Sequence, residues 1–182
     1  MSPQLTLVLY VVIPLWLVAG FADWACHRAS HIETTSGRTE STLHLLMLAE
    51  MGLPLLAALY LEVNALILGG LLLALLIHAG TSYIDVRYTI SKRFISPIEQ
   101  HIHSVLDMSP AMVFLLLGSA HWEQLLALFG LGDAPRRLQL AWSTQSPGVV
   151  YTVGLFSAIT VLALIPFVEE WLRARRPAGK RD

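Results

Sequence analysis

Asp23-Trp24-Ala25-Cys26-His27-Arg28-Ala29-Ser30-His31 follows without a break from the apolar run Leu5 to Ala22. A helix crosses a bilayer with about 20 apolar residues, and this run has that length. Asp23, His27 and His31 recur every fourth residue, so on a helix three ligand-type side chains share one face, a turn apart. The pattern returns in Glu99, His103 and Asp107, this time at the beginning of an apolar segment. Two charged stripes at the ends of membrane-length segments set both the expected fold and the place where chemistry is to be sought.

Composition agrees with the membrane reading. Of 182 residues, 55% are hydrophobic and 14% charged, well outside the soluble average. The formal net charge of -1 supplies no basic face for nucleic acid. Before Leu5 there is no basic n-region, and after Ala22 no small-residue cleavage signature, so the first run reads as a retained helix. Cys26 is the single cysteine, which excludes an internal disulfide; it reads as a small buried residue.

Five spans are expected: Leu5 to His31, Ser41 to Val63, Ala65 to Tyr88, Pro97 to Ala120 or Phe129, and Pro147 to Arg173. A bilayer admits only helices or closed barrels, and these runs are far too long for barrel strands. The expected fold is therefore all-α, a five-helix transmembrane bundle forming one domain over residues 1–172. A basic, disordered cytoplasmic tail should follow over 173–182. Ser96-Pro97-Ile98-Glu99 reads as a capping box with proline at the first helical position. Asn64 with Gly69 and Gly70 marks the turn between the second and third spans, and Asp133 to Gln145 forms the longest loop.

Ten of the twelve Lys and Arg residues fall on one side of this topology, leaving only Arg136 and Arg137 on the other. By the positive-inside rule the richer side is cytoplasmic and the N-terminus is outside, as in a bacterial inner membrane. Asp23, His27 and His31, then Glu40, His44 and Glu50, then His78 and Asp85, then Glu99, His103 and Asp107 all fall in that same half. Ionisable groups at such depth are costly, face the bundle interior and carry function by default.

Imidazole and carboxylate donors with almost no thiols suit iron, with zinc or manganese as the other candidates. So many ligand-type residues fit two ions, with some side chains left to orient the imidazoles. The expected metal ligands are Asp23, His27, His31, His44, His78, Asp85, Glu99, His103 and Asp107. Glu40, His101, Arg28 and Arg87 are expected behind them. His101 points about 160° to 200° away from the Glu99 and His103 stripe. Glu50, about 120° around its helix from His44, is the expected catalytic carboxylate, as a ligand or a proton relay. Glu33, Glu62, Glu169 and Glu170 read as solvated, and His121 and Glu123 as interfacial.

Asp23-x3-His27-x3-His31, Glu40-x3-His44, His78 and Glu99-x-His101-x-His103 together resemble, in ligand style alone, the membrane-bound histidine-rich di-iron hydroxylases and desaturases. The resemblance implies oxygen-dependent hydroxylation or desaturation of a hydrophobic substrate drawn from the bilayer, with electrons from a cytosolic donor or a quinol. Alternatives are a zinc-dependent hydrolase with Glu50 or Glu99 as general base, and a protein that handles metal ions or protons without catalysis. A hydrogen-bonded network with Arg28 or Arg87 as counter-charges would account for the same residues structurally.

Overall fold

A computed structural model describes residues 2–175, and among them the chain is helical with no strand. Five helices are long and apolar enough to cross a membrane: α1 (Pro3–Ala29), α2 (Gly37–Tyr60), α3 (Ala65–Thr89), α4 (Pro97–Ala120) and, after the short α5 (Trp122–Leu128), α6 (Val149–Ala174). The last helix continues through Arg173 to Ala174, so the expected tail begins later than residue 173; from residue 176 it lies outside the described residues. Large apolar side chains such as Leu53, Leu76 and Leu115 stand outward on these helices. Apolar surface on that scale is matched by lipid rather than water, and the chain is a multi-pass membrane protein.

Helix starts follow from local hydrogen bonding. The Asn64 side chain accepts from the Leu66 and Ile67 amides at 3.0 and 3.3 Å, and its Nδ2 donates to the Gln139 carbonyl at 2.8 Å. It thus caps α3 and anchors the loop that crosses that end of the bundle. Gly69 and Gly70 lie inside α3 and not in the turn. At α4, Ser96 Oγ accepts from the Glu99 amide at 3.2 Å. Only this half of the expected capping box forms, because the Glu99 carboxylate is committed elsewhere.

Two prolines shape the first and last spans. Each follows a five-residue π segment, Val8–Val12 before Pro14 and Thr160–Leu164 before Pro166. Proline has no amide hydrogen and its ring crowds the preceding turn; the wider π turn relieves that crowding. The Ile13 amide bonds to the Val8 carbonyl, and the next donor in that register would be residue 14, which has none. The Tyr151 hydroxyl fills the vacancy, donating to the Leu9 carbonyl at 2.7 Å, so α6 is pinned to α1 where α1 is irregular.

The packing partners place the five helices in a ring. α1 packs on α4, α4 on α3, α3 on α2, α2 on α6, and α6 back on α1. α1 and α2, adjacent in sequence, are separated in the ring by α6. One end of its interior is filled by apolar side chains, including Leu9, Ile13, Leu55, Leu68, Val113 and Leu117. The other end holds the ionisable residues. Asn64→Ala should lower stability by about 1 to 2 kcal/mol in thermal unfolding of the detergent-purified protein, while the composition of the polar end stays as it was.

Candidate metal centre

The polar end is built from all five long helices. Asp23 and His27 come from α1, Glu40 and His44 from α2, His78 and Asp85 from α3, Glu99 and His103 from α4, and Glu170 from α6. All are buried apart from His103, which is partly buried.

His27 lies at the centre. Its Nδ1 is 3.0 Å from Glu170 Oε2, so the N–H at that nitrogen donates to the carboxylate and the lone pair falls on Nε2. Nε2 faces Glu99 Oε1 at 3.3 Å, Asp23 Oδ1 at 3.4 Å and Glu40 Oε1 at 3.7 Å. It is buried and has no hydrogen-bond partner. Asp23 Oδ1 is 2.9 Å from His103 Nε2 but out of line for a hydrogen bond, and it too is without a partner. Donor atoms of Asp23, His27, Glu99 and His103 lie within 4.8 Å of one another, as do those of His27, Glu40 and His44. An unpartnered carboxylate oxygen and an unpartnered imidazole nitrogen turned toward one another are what a cation would satisfy, and the donor set suits a divalent ion of the iron, manganese or zinc kind. This buried cluster could hold metal ions.

Glu170 is shared. Its second oxygen takes the Nδ1 of His44 at 2.9 Å, and the His27 and His44 rings stack with centroids 4.6 Å apart and planes within 11°. One carboxylate from α6, the helix lying between α1 and α2, therefore sets the tautomer and tilt of an imidazole from each. His44 Nε2 is left 3.5 Å from Asp85 Oδ2.

Arg93, in the loop between α3 and α4, closes the cluster from the end. Its Nη2 reaches Glu40 Oε1 at 2.6 Å and Glu99 Oε1 at 2.5 Å, Nε reaches Glu40 Oε2 at 3.3 Å, and Nη1 reaches Glu99 Oε2 at 3.1 Å. Burial opposes the charge on this guanidinium, yet the hydrogen bonds it donates to Glu99 and Glu40 outweigh it and push the pKa further above the usual arginine value. The guanidinium fork ties carboxylates from α2 and α4 together.

Comparison with family models, with curated proteins and with solved structures found no match to this chain. The site must be read from its own geometry.

Several expected members stand elsewhere. His31 is not on the α1 stripe: the helix ends at Ala29, and His31 turns into the left-handed region (φ 52°). Its side chain is exposed beside Glu33 at 3.4 Å. His101 and Arg87 are exposed, and Arg28 pairs at the surface with Glu169 at 2.6 Å. Glu50 accepts from Thr81 Oγ1 at 2.8 Å and lies 3.7 Å from His78 Nδ1, outside both groups of close donors. Asp107 is exposed and accepts from Ser82 Oγ at 2.7 Å.

Glu170 and Arg93 are members of the cluster that the sequence reading missed, and Glu170 is fully buried and not solvated. A signal for it existed: Ala163, Phe167 and Glu170 follow helical spacing and all are buried. Glu169, one position earlier, points outward to Trp24, Arg28 and Arg173. Nothing in the sequence separates Arg93 from its neighbour Lys92.

Glu170→Ala leaves two buried imidazoles unheld. It should lower metal affinity 10- to 100-fold, the usual loss when a carboxylate behind a ligating histidine is removed. Glu169→Ala, which breaks surface pairs, should leave affinity unchanged and stability within about 1 kcal/mol; titration calorimetry and thermal unfolding of both variants check this. Arg93→Ala strands two buried carboxylates and should cost about 3 to 5 kcal/mol in the metal-free protein, and less once bound cations replace the lost charge.

Proposed function

We propose that the protein is a membrane metalloenzyme whose His and carboxylate centre binds two divalent metal ions, iron foremost, for oxygen-dependent hydroxylation or desaturation of a lipid-soluble substrate. The observation that carries this reading is His27: Nδ1 held by Glu170, Nε2 buried, unpartnered and facing three carboxylates. Among the described residues, Asp23, Glu40, Asp85, Glu99 and Glu170 are the buried acids, and Arg93 is their one buried arginine partner. With neutral imidazoles that leaves four negative charges, the complement of two divalent ions.

In this reading His27 and His103 hold metal with Asp23 and Glu99, and His44 holds it with Glu40. Bound iron supplies the redox chemistry by which oxygen is activated. Glu170 fixes the imidazoles before metal arrives, which removes the cost of ordering them at binding. A cavity of about 130 Å³ is lined by Asp23, His44, Asp85 and His103 and also by Ile13, Trp16, Leu55 and Phe167. It brings apolar wall to the same place as the donors, a reason for such a centre to lie in a membrane. The bias of Lys and Arg supports a centre on the cytoplasmic side with the N-terminus outside, within reach of a cytosolic or quinol electron donor.

A one-ion zinc hydrolase is the second reading. Four donors, those of Asp23, His27, Glu99 and His103, lie within reach of a single ion, and that favours it. Elemental analysis of detergent-purified protein separates the two. The expected result is two iron ions per chain, falling to one or none in His27→Ala and His103→Ala; stoichiometric zinc alone, or no metal at all, overturns the di-iron proposal.

A further inference from the structure

The cavity beside the centre has polar atoms that the metal site does not use. Asp85 and His78 line it and are 2% and 6% exposed, yet Asp85 Oδ1 and His78 Nδ1 have no hydrogen-bond partner. Neither residue belongs to the two groups of close donors, so an ion at those groups leaves these two atoms unsatisfied. Buried polar atoms in that condition call for a hydrogen-bonding partner.

The same cavity reaches the surface between α3 and α4, where Ser82 and Asp107 line it and Asp107 is exposed. Asp107 lies ten residues into α4, about 15 Å along the helix, which is mid-membrane depth for a hydrocarbon core of about 30 Å. A carboxylate facing lipid there is costly and marks a pathway or a site. Ser82 Oγ donates to it at 2.7 Å, using one of its acceptor positions and leaving the rest for an incoming donor. Beyond the polar atoms the wall is Ile13, Trp16, Leu55, Ile159 and Phe167.

We propose that the opening between α3 and α4 is a lateral portal, and that the cavity behind it binds a neutral lipid-soluble molecule whose hydroxyl group donates either to Asp107 at the mouth or to Asp85 within. The polar lining offers three aspartates, three histidines and one serine, with no lysine or arginine. That set suits a hydroxyl donor and repels a free carboxylate or a phosphate head. A long-chain alcohol and a quinol share the chemistry, the first as substrate and the second as electron donor. The inference deepens the proposed function, but it rests on the cavity and not on bound metal.

Trp16 in the wall gives the test. Full-length protein in nanodiscs, its metal content measured first, is titrated with 12-bromododecanol while tryptophan fluorescence is read, with Trp16→Phe as the control. Saturable quenching that disappears in Trp16→Phe is expected, with 12-bromododecanoate at pH 8 binding at least tenfold more weakly. Asp107→Asn should weaken alcohol binding several-fold. Gly52 lines the cavity, and a Cβ added there meets nothing within 4 Å, so Gly52→Leu should abolish binding with the fold and metal content retained. Displacement by a decyl-substituted benzoquinol below the concentration at which dodecanol displaces the probe assigns the site to the electron donor, and the reverse order assigns it to substrate. Equal binding of the acid, or quenching that survives Gly52→Leu, overturns the portal. Because metal is measured on the same samples, a metal-free protein that still quenches saturably would sink the metalloenzyme and leave the portal standing.

Discussion

The two hydrogen bonds from His27 and His44 to Glu170 govern the polar end of the bundle. An imidazole buried among carboxylates can rotate, change tautomer or take a second proton, and each state presents a different atom to the centre. Fixing Nδ1–H on a carboxylate oxygen selects one state and turns Nε2 the other way. Here one carboxylate does so for two rings, and the rings stack on each other. The side chains that face Nε2 of His27 come from α1, α2 and α4, so three helices are brought into register by an acid on a fourth.

Arg93 makes the complementary contact. Breaking a buried ion pair is expensive, while forming one contributes little net stability, so its value here lies in geometry: a planar fork keeps Glu40 and Glu99 side by side at the mouth of the centre. The apolar packing at the opposite end supplies cohesion without directional demands. Between the two lies the cavity, whose wall includes Ile13 and Leu55 from the apolar core.

Much of this was legible in the sequence, for reasons that differ by residue. Five spans followed from length and hydropathy, since a bilayer leaves few alternatives. Asp23 with His27, Glu99 with His103, and Glu40 with His44 were visible because i and i+4 share a face wherever the helix is intact. His31 failed the same rule because the helix ended first, at Ala29. Glu170 was hidden by its neighbour: paired glutamates near a basic terminus look solvated, and only the buried face running through Ala163 and Phe167 sets one apart. His78, Glu50 and Asp107 lay on spans assigned correctly, but which of them meet depends on how helices rotate against one another, and single-helix periodicity does not carry that information.

The ring order bears on how the molecule is made. α2 packs on α3 and α4 on α1 and α3, but the place between α1 and α2 is filled by α6, which follows the other four in the sequence. Without α6 the histidines on α1 and α2 have no Glu170 carboxylate to hold their Nδ1 protons. Arrival of α6 and completion of the centre coincide, and a chain lacking α6 would carry most of the donors without the means of aiming them.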